Sequence, residues 1–182
     1  MTPYLLAAVV LVGIVGALNL VLTFGVIRRL REHDRSLASH SAAGPANLRL
    51  SPDGRIPDFT AITVDGDPFT RAQLAGRNAV GFFSTTCAAC LDLLPEFVEY
   101  ARTFPGGRDR VLVVVVADQP DEASVNLIAR ARPVARVVME RYDGPIAAAF
   151  AVGAFPTLAL VDDDTVVADG STLQALSAAT RV

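Results

Sequence analysis

Cys87 and Cys90 are the only cysteines among 182 residues, and they stand in the run Ser84-Thr85-Thr86-Cys87-Ala88-Ala89-Cys90. A thiolate attacks the sulfur of a disulfide to give a mixed disulfide, and a second thiol held beside it releases the partner. Such chemistry needs the first sulfur where negative charge is favoured. The start of a helix is such a place, because its first N–H groups are unpaired and the positive end of its dipole lies there. Ala79-Val80-Gly81-Phe82-Phe83 has the length of a buried strand, and Leu91, Leu94, Val98 and Ala101 follow at helical spacing. The spacing therefore puts Cys87 at or near a helix N-terminus and Cys90 in the first turn, pointing back toward it.

A Cys-x-x-Cys pair is ambiguous by itself. A zinc site needs further Cys, His or carboxylate ligands, and the only histidines, His33 and His40, lie in an N-terminal stretch unlike a folded core. A plain structural pair and a tethered module that carries Cu(I) without redox turnover remain open; soft thiolates suit Cu(I), although no Met or His near Cys87 offers a third ligand. A second stretch, Gly153-Ala154-Phe155-Pro156-Thr157, runs directly into the apolar Leu158-Ala159-Leu160-Val161. Proline cannot donate to a sheet ladder. It stands here either as a trans residue capping a strand or after a cis Phe155-Pro156 bond that turns the chain sharply.

Together these residues resemble the thioredoxin-like superfamily, and within it the membrane-anchored TlpA-like thiol-disulfide oxidoreductases. The matching features occur in order: Ile56-Pro57-Asp58-Phe59, Val64-Asp65-Gly66, Leu74-Ala75-Gly76-Arg77, the strand, the cysteine pair, Pro95, the valine run 113–116 and the Phe-Pro-Thr. The Thr-Cys-x-x-Cys followed by Leu93-Leu94-Pro95, behind an apolar leader and a basic stretch, looks most like the accessory (MauD-like) proteins of methylamine utilisation. The resemblance covers roughly residues 50–182, and its motifs say little about substrate. It implies a thioredoxin-like α/β fold and a redox-active centre in which Cys87 attacks and Cys90 resolves. It further implies that Pro156, with Phe155 and Thr86, meets the partner chain. The implied partners are protein disulfides or dithiols, as in disulfide maturation of an exported protein, with no cofactor and no metal.

Several positions depart from the family. Thr86 stands where tryptophan is common, Ala88-Ala89 lacks the proline frequent between the cysteines, and Gly81 occupies the place six before Cys87 where thioredoxins often bury an acid. A peroxidase of related fold wants proline seven and threonine three before its cysteine, and Val80 and Ser84 stand there instead.

The rest of the chain must position this pair. Residues 1–29 read as a transmembrane anchor: Tyr4 to Ile27 holds no charged side chain and, at about 1.5 Å per residue, spans roughly 36 Å against a hydrocarbon core of about 30 Å. A cleaved signal peptide fits less well, because no Lys or Arg precedes the apolar run. Behind it Arg28, Arg29, Arg31 and Arg35 suit lipid headgroups. Their position argues for a cytoplasmic domain, whereas the resemblance implies an extracytoplasmic one, which is the expectation adopted. Residues 30–54, with their Ser, Ala, Gly and Pro, read as a juxtamembrane segment and linker.

Residues 55–182 form the expected domain. Five arginines oppose two acids before residue 51, and eleven oppose seventeen after it, so the domain is net acidic and not a nucleic-acid binder. Strand and helix signals alternate, as in an α/β layer structure. A hairpin turns at Asp65-Gly66, Arg110–Ala117 is a central strand buried on both faces, and Pro120-Asp121-Glu122 opens a helix. Ala135–Met139 is a strand, Gly144–Phe150 a short helix, Leu158–Val161 and Val166–Ala168 a hairpin, and Thr172–Ala179 the last helix. Asp162-Asp163-Asp164 reads as a solvated turn rather than a calcium loop.

Overall fold

The computed structural model describes Leu48 and residues 54–179, together with the single position Gly13. The expected anchor from Tyr4 to Ile27, the arginines behind it, His33, His40 and most of the linker lie outside the described residues. Among the described residues no helix is long and apolar enough to cross a membrane. The chain divides into two units, Met1–Ala43 and Gly44–Val182, and every element below belongs to the second.

A five-stranded sheet organises this unit, in the order β5-β4-β3-β6-β7. Its strands are β3 (Arg77–Ser84), β4 (Val111–Val116), β5 (Arg136–Glu140), β6 (Thr157–Asp162) and β7 (Thr165–Gly170). β3, β4 and β5 run parallel, while β6 lies antiparallel to β3 and β7 antiparallel to β6. The short β1 (Thr60–Ile62) and β2 (Pro68–Thr70) form a separate antiparallel hairpin. It is tied to the sheet edge where Val64 N–H donates to Val137 O at 2.8 Å. The helices are α1 (Ala88–Arg102), α2 (Glu122–Ala131), α3 (Pro145–Ala149) and α4 (Leu173–Ala179).

The valines of β4 show why both faces of the sheet are covered. Side chains alternate along a strand, so Val111, Val113 and Val115 enter one core with Leu94, Phe97 and Leu127 of α1 and α2. Leu112, Val114 and Val116 enter the other, with Phe69 of the hairpin and Ile146 and Phe150 at α3. Phe155 touches both cores. A strand without a polar residue is stable only between two such layers.

Helix α1 carries the cysteine pair, and its buried stripe is Cys90, Leu94, Phe97, Val98 and Ala101. Leu91, which shares the helical spacing of the apolar residues, is instead 45% exposed. The stripe passes through Cys90 because the i, i+4, i+7, i+8 face meeting β3 starts there. Gly81 of β3 lies directly beneath, and a Cβ on it would come within 2.7 Å of the Phe83 ring and 3.0 Å of the Phe97 ring. The place that often holds a buried acid in thioredoxins is thus closed by two phenylalanines. In the β6–β7 turn, Asp163 accepts from Gly76 N–H at 2.7 Å, and Asp164 pairs with Arg55 and Arg71.

Candidate functional site

Strand β3 ends at Ser84 and α1 begins at Ala88, which leaves Cys87 as the N-cap residue with extended backbone (φ −100°, ψ 110°). A side-chain acceptor at this position satisfies one of the helix's unpaired N–H groups. Here the acceptor is sulfur: Cys90 N–H donates to Cys87 Sγ at 3.2 Å. Both cysteines are free thiols, Cys87 half-buried and Cys90 fully buried. The two sulfurs therefore stand in unequal surroundings. Burial pushes the Cys90 thiol far up, the neighbouring Cys87 side chain adds to this, and the Ser84 N–H, 3.4 Å from Cys90 Sγ, opposes both only in part. Cys90 is held protonated at neutral pH while Cys87 faces the surface.

Across from Cys87 lies the segment before β6. The Phe155–Pro156 peptide bond is cis, and the Cys87 S–H donates to Phe155 O at 3.4 Å. Thr157 Oγ1 donates to Ala154 O at 2.7 Å, which fixes the same loop from the strand side. Pro156 is buried and Phe155 half-buried. Cys87, Cys90, Thr86, Phe155 and Pro156, gathered from two sequence stretches, thus come together around one sulfur.

Two residues that sequence reasoning does not single out complete the surroundings. Tyr142, between β5 and α3, brings its hydroxyl to 2.7 Å from Ser84 Oγ and 3.0 Å from Thr86 Oγ1, and those two oxygens are 3.2 Å apart. Its ring meets Phe155 edge-on, with centroids 5.7 Å apart. The only advance signal is position, since loops after the C-terminal ends of parallel strands are where open α/β sheets place their sites. Glu140, the last residue of β5, is buried, and its carboxylate accepts from Ile146 N–H at 3.1 Å and Ala147 N–H at 2.7 Å. Gly144 makes this possible, since a Cβ there would lie 2.5 Å from the carboxyl carbon. Burial raises the Glu140 pKa, and the two N–H groups counter it incompletely.

Among the described residues no cluster of His, Cys, Asp or Glu is suited to hold a metal ion. The arrangement presents one accessible sulfur at a helix start, a second sulfur behind it, and a backbone carbonyl in front.

No protein-family model and no curated protein matches the chain. Solved structures do. A thio-disulfide isomerase from Thermus thermophilus is 24% identical with a TM-score of 0.54, over 71% of this chain and 97% of its own. A thiol:disulfide interchange protein of the thioredoxin family from Chlorobium tepidum is 21% identical, TM-score 0.56, over 72% and 97%. The thioredoxin domain of a thiol-disulfide oxidoreductase from Bacteroides vulgatus is 18% identical, TM-score 0.55, over 72% and 96%. At such identities the likeness speaks to architecture, and what it establishes is that this chain carries a thioredoxin-like α/β fold.

Proposed function

We propose that this chain is a membrane-tethered thiol-disulfide oxidoreductase acting on protein partners. Cys87, as thiolate, attacks one sulfur of a partner disulfide; the partner S–S bond breaks, a Cys87–partner disulfide forms, and the other partner sulfur leaves as thiolate and takes a proton. Cys90 then gives up its proton and attacks Cys87 Sγ, closing the Cys87–Cys90 disulfide and releasing the second partner sulfur as a thiol. Two electrons pass from the pair to the partner, and the same steps in reverse oxidise a partner dithiol. Phe155, Pro156 and Thr86 are the residues proposed to meet the partner chain.

One observation carries the reading: Cys87 Sγ accepts the Cys90 N–H at 3.2 Å and stands 3.4 Å from Phe155 O, with Cys90 buried directly behind. A thiolate at Cys87 keeps the N–H hydrogen bond, and the helix dipole adds to it. The structural neighbours from three bacteria carry names of the same chemistry, which supports the assignment. The uncharged run Tyr4–Ile27 and the arginines behind it support the tether, and the resemblance to methylamine-utilisation accessory proteins supports an extracytoplasmic domain that matures the disulfides of an exported protein.

Dithiothreitol-driven reduction of insulin tests the chemistry. The 182-residue chain is expected to accelerate it, and Cys87→Ser to reduce the rate to that of dithiothreitol alone; no acceleration by the unmutated chain contradicts the assignment. Protease accessibility of the domain in sealed membrane vesicles checks its side of the bilayer.

A further inference from the structure

Near Cys87 two large apolar or aromatic side chains, Leu91 and Tyr142, are exposed, which the exchange chemistry does not require. Leu91 stands one helical turn beyond Cys87, on the same face of α1, its N–H donating to Cys87 O at 3.4 Å, and it is 45% exposed. Tyr142 is also 45% exposed. Thr86 and Ala88 flank the sulfur in sequence and are exposed too. The charged neighbours of Tyr142, Arg141 and Asp143, pair with each other at 3.7 Å.

An exposed tyrosine normally samples several rotamers, and binding through it costs that freedom. Tyr142 is held instead by its hydroxyl, against Ser84 and Thr86 at 2.7 and 3.0 Å, and by its ring, edge-on to Phe155. The hydroxyl is satisfied within the protein, so the ring is presented as a fixed apolar wall. Aromatic side chains displayed in this way contribute most strongly to protein recognition.

We infer that Tyr142 is a selectivity residue: with Leu91 and Phe155 it forms an apolar rim around Cys87 that favours disulfides flanked by aromatic or aliphatic side chains over those in polar segments. The inference rests on the exchange chemistry proposed above and names its substrate class. The ring is the selecting group, and its edge-on contact with Phe155, which does not need the hydroxyl, is the main hold on its position.

The test compares kcat/KM for two synthetic peptide disulfides of equal net charge, one with Phe and Leu beside its cysteines and one with Ser and Gly. The unmutated chain is expected to favour the apolar peptide by roughly tenfold or more. Tyr142→Ala should lower that preference below about threefold by slowing the apolar peptide alone, and Tyr142→Phe, which keeps the ring, should retain most of it. Should Tyr142→Ala fail to fold, Leu91→Ser carries the test, with a loss of about threefold confined to the apolar peptide. The inference is overturned by an unmutated chain without preference, by equal losses on both peptides, or by Tyr142→Phe behaving like Tyr142→Ala. Insulin reduction by the unmutated chain separates the two levels: if it proceeds without peptide preference only this inference fails, and if it does not proceed the underlying chemistry fails with it.

Discussion

At and beyond the C-terminal ends of β3 and β5 lie two sulfurs, the linked hydroxyls of Ser84, Thr86 and Tyr142 and the buried carboxylate of Glu140, whereas ahead of β4 and β5 a single aspartate draws in two arginines. Asp65, in the turn between β1 and β2, accepts from Arg108 at 2.5 Å, just ahead of β4, and from Arg132 at 2.7 Å, just ahead of β5. Arg136, which opens β5, lies 4.5 Å over the ring of Phe69. A cleft opens there, lined by Asp65, Asp67, Arg108, Ala129, Arg132 and Pro133. Its Asp65 charge is already answered by the arginines beside it, and pairs so near solvent add little to stability. The charged end attaches the hairpin to the sheet. The sulfur-bearing end buries one thiol and leaves the other accessible, the asymmetry on which the proposed exchange chemistry rests.

This contrast should show first in tolerance to substitution. Gly81→Asp would drive a carboxylate between the rings of Phe83 and Phe97, where nothing is available to pair with it. A loss of at least about 3 kcal/mol is expected, from overpacking and an unpaired buried charge together. Gly81→Ala should cost about 1–3 kcal/mol. Urea denaturation measures both, and an unchanged midpoint for Gly81→Asp would mean that the two rings give way easily.

The second contrast is at alkaline pH. The Cys90 thiol has its pKa raised above the ordinary 9.0, so between those two values the folded state holds a proton that the unfolded chain has released. Its contribution to stability is complete below about pH 9 and declines as pH rises past it. Cys90→Ala should remove that part of the alkaline decline. Under the exchange chemistry proposed above, a raised Cys90 pKa makes resolution slower at neutral pH than it would be for an ordinary thiol.

A third and smaller effect separates the two ends at acid pH by its sign. Glu140 at the sulfur-bearing end has its pKa raised above 4.5, chiefly by burial. Between 4.5 and the folded value the native state binds more protons, so this group favours folding increasingly as pH falls through that interval. Asp65 at the charged end behaves oppositely. Burial pushes its pKa upward, but Arg132 and Arg108 outweigh that and hold it below 3.8. Its contribution is present above pH 3.8 and lost as pH falls through the folded value. Stability against pH for Glu140→Gln and Asp65→Asn should therefore differ from the unmutated chain with opposite slopes, and parallel curves would remove the distinction.

The smallest expected effect is that of Asp65→Asn at neutral pH. Thermal denaturation should show a slight fall in midpoint, and insulin reduction a rate within about twofold of the unmutated chain, because exposed ion pairs are weak and this one is remote from the sulfurs. A large loss of activity would tie the charged end to the chemistry.

How far the sequence announces all this depends on range. The valine run of β4 and the strand that feeds Cys87 are legible because burial on both faces leaves no polar residue to place. The cysteine pair and the Phe-Pro-Thr are legible because their residue types carry geometry with them. Tyr142 is not, since its partners lie 58 and 56 residues away and nothing in Arg-Tyr-Asp-Gly gives a period or a cap. Glu140 is equally hidden: an acid ending an apolar strand reads as the start of solvent, and only the fold shows the amides of Ile146 and Ala147 waiting for it. Leu91 misleads in the other direction, because helical spacing identifies a stripe but not which edge of it the neighbouring strand covers.

The central claim is that Cys87 makes the first bond to a partner and Cys90 breaks it. Expressing Cys90→Ser and mapping mixed disulfides by mass spectrometry without reductant tests it directly. Partner cysteines should be found joined to Cys87 and absent from a Cys87→Ser, Cys90→Ser double variant; a Cys90→Ser chain that accumulates no such adduct would contradict the account.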